Sequence, residues 1–386
     1  MNWKALAILS IAHLVTDVNQ GALPVLLPYF KETLHLSYTT AGVILLFSNI
    51  TSSVIQPAFG YLSDRRPIGW FLPVAPVIAS AGMAITGFLP NYSLLLICVI
   101  GYGFGVASFH PEGFKTAYFF TGERKATGMS IFAVGGNLGV AIGPIFALSL
   151  VSMFGIKGTL GMVIPGVVIG TILLFSLSWL TAPAHIAFSQ REETARQPLS
   201  REEILSLVLL IFVVTIRSWI QFGLVTYIPF YYINFLKGDP FYAGKLVSTF
   251  LMAGALGTLI GSPLADRWGH KKFLMISLIL IFPFLLLFYN LEGPLLYVMI
   301  GMGVMLLVSS FSVTMVMAQA MLPHHLGMAS GLMAGFGIGA GGVGVTLLGT
   351  IADHWGVPVA LKTVFALPLV GFGLSLLIQY PPQKKT

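Results

Sequence analysis

The stretch Leu62-Ser63-Asp64-Arg65 recurs 202 residues later as Leu264-Ala265-Asp266-Arg267. A second pair of short matches, Ala126-Thr127-Gly128 and Ala329-Ser330-Gly331, lies at an offset of 203 residues. Two unrelated matches at nearly the same offset indicate that the chain consists of two halves that arose by duplication of one unit. Each repeated Asp-Arg pair follows a long apolar run, so the unit is built from apolar segments joined by short polar loops.

The composition of the chain excludes a protein that is surrounded by water. Of the 386 residues, 56% are hydrophobic and 9% are charged, and the mean hydropathy is +0.90. A soluble protein carries about 25% charged residues, so an ordinary soluble enzyme and a disordered protein are both excluded. The apolar runs are long and unbroken, unlike the alternating segments of about ten residues in a membrane β-barrel. The predicted fold class is therefore an all-α integral membrane protein.

The apolar runs are numerous enough for twelve membrane spans, each of which needs about 20 residues. The polar stretch 183–203 separates six runs from six. This pattern predicts an N-terminal six-helix domain at 1–182, a cytoplasmic linker at 183–203 and a C-terminal six-helix domain at 204–386. The predicted spans are 4–30, 41–62, 71–89, 93–116, 126–154, 159–182, 204–235, 243–264, 272–290, 293–322, 327–352 and 358–380.

The distribution of Lys and Arg predicts the orientation of the chain. With the N-terminus in the cytoplasm, fourteen Lys and Arg residues lie on the cytoplasmic side and five on the outer side. Positive charges are enriched in cytoplasmic loops, so we expect an inner-membrane protein with both termini in the cytoplasm. The same bias accounts for the formal net charge of +7 without nucleic acid as a partner.

The two repeated loops resemble the signature G-x-x-x-D-R-x-G-R-K of the major facilitator superfamily. They read Gly60-Tyr61-Leu62-Ser63-Asp64-Arg65-Arg66 and Asp266-Arg267-Trp268-Gly269-His270-Lys271-Lys272. The resemblance implies twelve transmembrane helices in two pseudo-symmetric six-helix domains, with a substrate site between the halves. An Asp near a helix N-terminus is stabilised by the free N–H groups and the dipole there. The loops are therefore predicted to form a conformational latch, with a simple positively charged loop as the alternative; the predicted latch residues are Asp64, Arg65, Asp266 and Arg267.

The fifth predicted span contains a glycine pattern, Gly135, Gly139 and Gly143, followed by Pro144. Glycines four residues apart line one face of a helix and let another helix approach closely. The pattern G-x-x-x-G-P resembles a signature of drug–proton antiporters in the same superfamily. The alternative is helix packing without any meaning for antiport.

Two acids and one Arg lie well inside the predicted spans. An uncompensated charge there costs about 2.5–3.5 kcal/mol on insertion scales, and among the acidic, Arg and Lys residues only Asp17, Glu112 and Arg217 occupy such positions. Asp17 and Arg217 lie at matched depths in the first and seventh spans, about 20 Å from the cytoplasmic end at 1.5 Å per residue. We predict that Arg217 binds the substrate, with a structural ion pair as the alternative. Pairing with Arg217 is expected to hold Asp17 ionised.

Coupling to protons requires a group that changes its protonation state. Glu112 follows Pro111, which kinks the fourth span, and the neighbouring His110 carries an imidazole, a side chain that commonly transfers protons. Glu112, Asp17 and His110 are the predicted proton-coupling residues. Glu112 is favoured because an apolar surround would stabilise its protonated form. The alternative is that Glu112 extends to the interface and pairs with Lys115.

Several motifs together resemble the fosmidomycin resistance protein family. They are His13-Leu14 followed by Asp17, Gln56-Pro57 leading to Gly60-Tyr61 and Asp64, Phe109-His110-Pro111-Glu112, Val134-Gly135-Gly136-Asn137, and Ile351-Ala352-Asp353-His354. The resemblance implies an exporter that is driven by the proton gradient and carries a small anionic, drug-like molecule such as fosmidomycin. The fourth span lacks the mid-membrane Arg of many drug exporters, which leaves Arg217 as the central cation. Further polar side chains in or beside the apolar runs complete the predicted substrate-binding set: His13, Asn19, Gln20, Gln56, Asn137 and Gln221.

Other functions compete with proton-coupled export. A uniporter or an importer of a small organic anion would use the same fold. A membrane-embedded hydrolase could use His110 and Glu112, but the chain contains neither H-E-x-x-H nor G-x-S-x-G. A channel or scaffold would not need the duplicated loops. We therefore expect a monomeric transporter rather than an enzyme, without cofactor or metal, whose partners are a small molecule, protons and the lipid bilayer.

Overall fold

The computed structural model describes residues 1–36, 38–66, 68–194, 200–232, 236–237, 240–291 and 293–380. Helices account for nearly all of these residues, and none of them lies in a β-strand. Eleven segments of this described part are long and apolar enough to cross a membrane. Pro240–Trp268, at the position of the eighth predicted span, is a further helix of 29 residues. The predicted all-α membrane fold class is therefore confirmed.

The first half of the chain contributes seven α-helices in the described residues. Two of them, on either side of a π-helical turn at Ile50–Val54, together cover the second predicted span. A 3-10 segment, Ile156–Met162, leads into the last of the seven. The helices are α1 (Trp3–Thr33), α2 (Tyr38–Asn49), α3 (Gln56–Arg65), α4 (Phe71–Ile85), α5 (Tyr92–Phe120), α6 (Lys125–Phe154) and α7 (Val163–Thr194).

The second half contributes six α-helices in the described residues, one for each predicted span. The predicted end of the seventh span, at 235, lies outside the described residues. The helices are α8 (Arg201–Phe230), α9 (Pro240–Trp268), α10 (His270–Leu287), α11 (Gly293–Met321), α12 (Leu326–Trp355) and α13 (Val357–Leu377).

Much of the stretch expected as a linker, 183–203, is helical. α7 continues to Thr194, and residues 195–199 lie outside the described part of the chain. α8 begins after a capping box: the hydroxyl of Ser200 accepts a hydrogen bond from the N–H of Glu203 at 3.2 Å, and Glu203 accepts one from the N–H of Ser200 at 2.8 Å. Two free N–H groups are satisfied in this way, which accounts for the start of α8 at this point.

The chain divides into two compact units that follow its halves except at two places. The first unit also includes the start of α12, and the second includes the start of α6. The first consists of Met1–Glu123, Ile131–Arg196 and Leu322–Gly335, and the second of Arg124–Ser130, Gln197–Met321 and Phe336–Thr386. The apolar core of the first comes mainly from α1, α4 and α5, with residues of α2 and α6, and that of the second comes mainly from α8, α9, α10, α11 and α13, with Leu348 of α12.

The glycine face of α6 contacts the backbone of α1. A side chain at Gly135, Gly139 or Gly143 would overlap a carbonyl oxygen of α1. Small residues at such a contact let two helix backbones approach closely, and this approach brings the middle of α1 against α6. The three oxygens belong to Ser10, Leu14 and Val18, and Pro144 follows the last glycine inside α6.

Candidate functional site

A buried cluster of one carboxylate and two imidazoles lies where α1 and α5 meet. Nε2 of His13 lies 3.2 Å from Oδ2 of Asp17, and Nε2 of His110 lies 3.1 Å from Oδ1 of the same carboxylate. None of the three residues is more than 5% exposed. His13 and Asp17 share one face of α1 because they are four residues apart, and α5 supplies His110. The structure thus brings together three residues that the sequence assigned to two different roles.

Each imidazole of the cluster is oriented by a second partner at its Nδ1 atom. Nδ1 of His13 lies 2.9 Å from the backbone oxygen of Phe132 on α6. Nδ1 of His110 lies 3.2 Å from Nε2 of Gln56, which also donates to the backbone oxygen of Ser52 at 2.6 Å. A carbonyl oxygen can only accept and an amide nitrogen can only donate. The two histidines are therefore held in different ways.

Apolar groups from α5 and α6 cover the cluster. The ring of Phe132 stacks on His13 with centroids 4.4 Å apart, and the ring of Phe114 stands edge-on to it at 5.7 Å. Gly136 presents no side chain, and a Cβ there would press on Nε2 of His13 and Oδ2 of Asp17. In such an apolar surround, polar contacts are stronger and unpaired polar atoms are more costly than in water.

Glu112 lies in an ion pair instead of the expected apolar surround. Its Oε2 lies 2.7 Å from Nζ of Lys115, and the hydroxyl of Ser63 contacts both side chains. Lys115 also donates to the backbone oxygen of Ser63 at 3.1 Å. The expectation of an apolar surround is therefore wrong, because a cation three residues further along α5 neutralises the carboxylate. The physical reason for favouring Glu112 as the coupling residue is lost.

A cavity of about 330 Å³ lies beside this ion pair. Ser63, Asp64, Glu112 and Lys115 form part of its wall, and His185 lines it from α7. The charged and hydroxyl groups in its wall, together with a volume of this size, can accommodate water. The pair of Glu112 and Lys115 therefore borders a space that can hydrate it.

Asp64 caps the N-terminus of α12. Its two carboxylate oxygens accept hydrogen bonds from the backbone N–H groups of Gly327 at 2.8 Å and Met328 at 2.7 Å. Negative charge is favourable at this end of a helix because the first N–H groups and the dipole point towards it. Arg65 lies over the ring of Tyr61, 4.4 Å from its centroid.

Asp266 makes the matching contact at the N-terminus of α6. It accepts hydrogen bonds from the N–H groups of Ala126 and Thr127, both at 2.9 Å, and from the hydroxyl of Thr127 at 2.6 Å. Nε2 of His270 lies 3.2 Å from the same carboxylate. Asp266 lies beyond the apolar part of α9. Burial alone would raise its pKa, but hydrogen bonds from His270, Thr127 and Ala126 lower the pKa below its ordinary value. Arg267 beside it is exposed.

Arg217 lies in the second unit with part of its guanidinium unsatisfied. The residue is 1% exposed, and its Nε and Nη1 have no hydrogen-bond partner among the described residues. The guanidinium carbon lies 5.1 Å from the centroid of the Phe311 ring, which offers a weak cation–π contact. Gly337 leaves space on another side, since a Cβ there would stand 3.6 Å from Nη2.

The structure gives Asp17 two imidazole partners, where the sequence predicted Arg217. Both oxygens of Asp17 face imidazole nitrogens, one from His13 and one from His110. Matched positions along two helices predict similar depth in the membrane, but they do not predict which side chains face each other.

The remaining predicted substrate-binding residues fall into two groups. Asn19 has a structural environment: its amide nitrogen donates to the hydroxyl of Ser80 at 3.0 Å and to two carbonyl oxygens of its own helix. Gln20 and Gln221 are partly exposed and Asn137 is exposed, so these three remain accessible to a ligand.

Sequence reasoning missed the residues that orient the ionisable groups. Phe132 acts through its backbone oxygen, 119 residues from His13, and no local pattern identifies such an acceptor. Ser63 between Glu112 and Lys115 and Phe311 beside Arg217 carry no signal of their own either. The spacing of four residues between His13 and Asp17 was a usable signal, since it places both on one helix face.

Comparison with protein families gives a match over most of the chain. The model of the Major Facilitator Superfamily matches residues 9–245 and 236–386. The chain belongs to the major facilitator superfamily. It is therefore a multi-pass membrane transporter for a small molecule, and this superfamily is not a class of enzymes.

Two bacterial relatives match this transporter over nearly its whole length. The MFS-type transporter YfnC of Bacillus subtilis is 31% identical over 380 residues, which are 97% of this chain and 93% of that protein. The fosmidomycin resistance protein of Escherichia coli is 30% identical over 371 residues, which are 95% and 90% of the two chains. The transporter thus belongs to the fosmidomycin resistance family, as its motifs predicted.

Solved structures confirm the superfamily fold. The fucose:proton symporter of Escherichia coli aligns with a TM-score of 0.73 at 14% identity, covering 97% of this chain and 98% of that one. The human organic anion transporter MFSD10 aligns with a TM-score of 0.72 at 16% identity, covering 96% and 98%. At such low identity these likenesses concern the fold alone.

Proposed function

We propose that this transporter exports a small anionic, drug-like molecule similar to fosmidomycin across the cytoplasmic membrane in exchange for protons. The observation that carries the proposal is the buried guanidinium of Arg217, whose Nε and Nη1 have no partner among the described residues. The export direction rests on the relationship to the fosmidomycin resistance protein of Escherichia coli. The distribution of Lys and Arg supports an orientation with both termini in the cytoplasm, and the proposed exporter acts as a monomer.

An anionic cargo would relieve the electrostatic cost of Arg217. Leaving one member of a buried ion pair without its partner costs about 3–5 kcal/mol, and the ring of Phe311 offsets only part of such a cost. A phosphonate or carboxylate accepts charge-assisted hydrogen bonds from the planar fork of a guanidinium. Arg217 thus supplies the recognition group for an oxyanion, and the partly exposed Gln221, one helical turn further along α8, is a second proposed contact for the cargo.

Proton coupling is assigned to the cluster of His13, Asp17 and His110 in preference to Glu112. The carboxylate of Glu112 is neutralised by Lys115 at 2.7 Å. Imidazoles change charge near neutral pH, and two of them lie on the carboxylate of Asp17. Export against a gradient would then use protons that enter from the outside and leave this cluster on the inside.

Alternating access is assigned to the two helix caps. Asp64 holds the start of α12 and Asp266 holds the start of α6, each through two backbone N–H groups. The caps would stabilise the state in which they are formed, and their release would accompany the change to the other state.

Binding measurements on the purified transporter test the anionic cargo. Calorimetric titration with fosmidomycin should show binding to the wild type and none to Arg217→Ala. Arg217→Lys should bind weakly, because Lys keeps the charge but loses the planar fork. Lys157→Ala is the matched control, since it removes an exposed cation, and it should bind as the wild type does. Near-normal binding by both Arg217 variants would refute the role of Arg217, and binding of the cation tetraphenylphosphonium in place of fosmidomycin would refute an anionic cargo.

A further inference from the structure

In the cluster of His13, Asp17 and His110, the hydrogen-bond partners of the two imidazole rings determine which nitrogen of each ring carries a hydrogen. Nδ1 of His13 faces the backbone oxygen of Phe132 at 2.9 Å. A carbonyl oxygen offers only lone pairs, so Nδ1 of His13 must carry a hydrogen. When His13 is neutral, its Nε2 therefore has a lone pair and no hydrogen.

His110 has the opposite tautomer, and Gln56 determines it. The amide nitrogen of Gln56 lies 2.6 Å from the carbonyl oxygen of Ser52, and this contact fixes which end of the amide is the donor. The same nitrogen lies 3.2 Å from Nδ1 of His110, which must therefore accept. Neutral His110 thus carries its hydrogen on Nε2, which lies 3.1 Å from Oδ1 of Asp17.

The contact between His13 and Asp17 then needs one more hydrogen than the neutral rings supply. Nε2 of neutral His13 and Oδ2 of ionised Asp17, 3.2 Å apart, would present lone pairs to each other. One added proton removes this conflict, either as an imidazolium beside a carboxylate or as a carboxylic acid beside an imidazole. A separation of 3.2 Å between these two atoms suits the arrangement that contains this proton.

We propose that the transported proton is held between Nε2 of His13 and Oδ2 of Asp17, and that its loss separates these two side chains and releases His13 from α6. This inference rests on the proposed function, since it names the atoms that carry the coupled proton. His110 is a positioning residue that keeps one hydrogen on Nε2 throughout and holds Asp17. Loss of the proton leaves a buried repulsion, and His13 must turn away from Asp17 and break its contact with Phe132.

The surroundings of the pair contain few other groups that could carry this proton. Within the described part of the chain, the titratable groups that face Asp17 are His13 on α1, and His110 and the hydroxyl of Tyr102 on α5. Tyr102 has its own partner in the hydroxyl of Ser48 on α2, at 3.3 Å. α3 contributes the amide of Gln56, and α4 contributes only a hydroxyl, that of Ser80, to the neighbouring Asn19. α6 contributes Phe132 and Gly136, which do not titrate.

A metal ion is the rival occupant of the same cluster. One ligand atom from each of His13, Asp17 and His110 lies within 4.8 Å of the others, and two imidazoles with a carboxylate are common ligands of Zn²⁺. A ligating nitrogen must offer a lone pair, but Gln56 holds the hydrogen of His110 on Nε2. The tautomers therefore favour a proton over a metal ion.

Exchange of each histidine for Gln separates these possibilities, because the amide of Gln can donate but does not titrate. His13→Gln keeps a donor towards Asp17 and removes the proton-binding atom. It should bind fosmidomycin and catalyse counterflow in proteoliposomes but fail to accumulate the compound in response to a pH gradient. His110→Gln retains a donor at the position of His110 and leaves Nε2 of His13 in place, so the accumulation that remains should still depend on the pH gradient. Loss of accumulation in His110→Gln together with retention in His13→Gln would overturn the proposal, as would retention in both.

Nitrogen NMR of the wild type, labelled with ¹⁵N at histidine, tests the proton without relying on transport. His13 should change from imidazolium to the neutral tautomer with hydrogen on Nδ1 as the pH rises, while His110 keeps its hydrogen on Nε2. A neutral His13 with hydrogen on Nε2 would overturn the proposal. Stoichiometric Zn²⁺ binding that both Gln variants abolish would also overturn it in favour of a metal site. If fosmidomycin fails to bind while His13 titrates as described, the proposed cargo is wrong and the proton site stands.

Discussion

Replacement of Asp64 is the change whose effect follows most directly from the geometry. The carboxylate is the cap of α12, with hydrogen bonds of 2.8 and 2.7 Å from the N–H groups of Gly327 and Met328. The helices cannot move closer to compensate for its loss, because the backbone of Gly327 already contacts that of Gly60. Asp64→Ala therefore leaves two N–H groups at the start of α12 without their partner.

The expected loss can be worked out from the two interactions that the carboxylate makes. Removing an N-cap side chain costs about 1 kcal/mol, and the charge beside the helix dipole contributes about 1 kcal/mol more. Asp64→Ala should thus destabilise the first turn of α12 by about 2 kcal/mol, which is about a thirtyfold change in its opening equilibrium. Asp64→Asn keeps one acceptor oxygen but loses the charge, so it should cost about 1 kcal/mol, or about fivefold.

Hydrogen exchange followed by mass spectrometry measures this change locally. Peptides that contain Gly327 and Met328 should exchange faster in Asp64→Ala than in Asp64→Asn, and faster in both than in the wild type. Peptides that contain Ala126 and Thr127 are the internal control, since Asp266 caps them. Unchanged exchange at the start of α12 in both variants would refute the capping role, and normal transport by Asp64→Ala would return the loop to a topological role.

The remaining predictions concern the two buried ionic sites. Gly136→Ala should abolish accumulation of fosmidomycin in proteoliposomes, because a Cβ there presses on His13 and Asp17. Gly101→Ala is the control and should transport normally, because a Cβ there meets nothing within 4 Å. Equal transport by the two variants would argue against a role of the cluster in proton coupling. Lys115→Met should lower the free energy of unfolding by about 3–5 kcal/mol, because it leaves Glu112 buried without its cation. Adding Glu112→Gln should restore most of this loss, which is measured as a shift of the melting temperature. Glu112→Gln alone should still accumulate fosmidomycin, and failure to do so would restore Glu112 as a coupling residue.

Apolar run length predicted the fold because the bilayer imposes it. A span must satisfy its own backbone hydrogen bonds and cover about 30 Å of hydrocarbon, and these requirements are local in the sequence. The stretch 183–203 shows the limit of composition, since α7 continues to Thr194 although its last turns are polar. Hydropathy indicates where a helix leaves the apolar phase, and not where the helix ends.

The ionisable residues of the site could be found in the sequence, but most of their partners could not. A buried charge is costly, so Asp17, Glu112 and Arg217 are conspicuous in any apolar run. Pairs on one helix are also accessible: the spacing from Glu112 to Lys115 predicted the ion pair as the alternative to an apolar surround, and that pair is present. Contacts between helices depend on how each helix is rotated about its own axis. Where a helix is apolar on every side, the pattern of its residues does not determine that rotation.

The two histidines show how much of the chemistry depends on such contacts. The sequence placed His13 among the substrate-binding residues and His110 among the proton-coupling residues. In the structure, both rings lie against the same carboxylate, that of Asp17. Their tautomers depend on the backbone oxygens of Phe132 and Ser52. A backbone carbonyl has the same chemistry at every residue, so no residue type in the sequence marks these two acceptors.

The most direct test of proton-coupled export of an anion is the internal pH of everted membrane vesicles. Respiration acidifies their interior, and fosmidomycin added outside meets the cytoplasmic face of the transporter. We predict that the compound raises the internal pH of vesicles with the wild-type protein, because protons leave as it enters, and that it has no such effect with Arg217→Ala or His13→Gln. Accumulation of labelled fosmidomycin without any change of internal pH would contradict the account and indicate uniport of the anion.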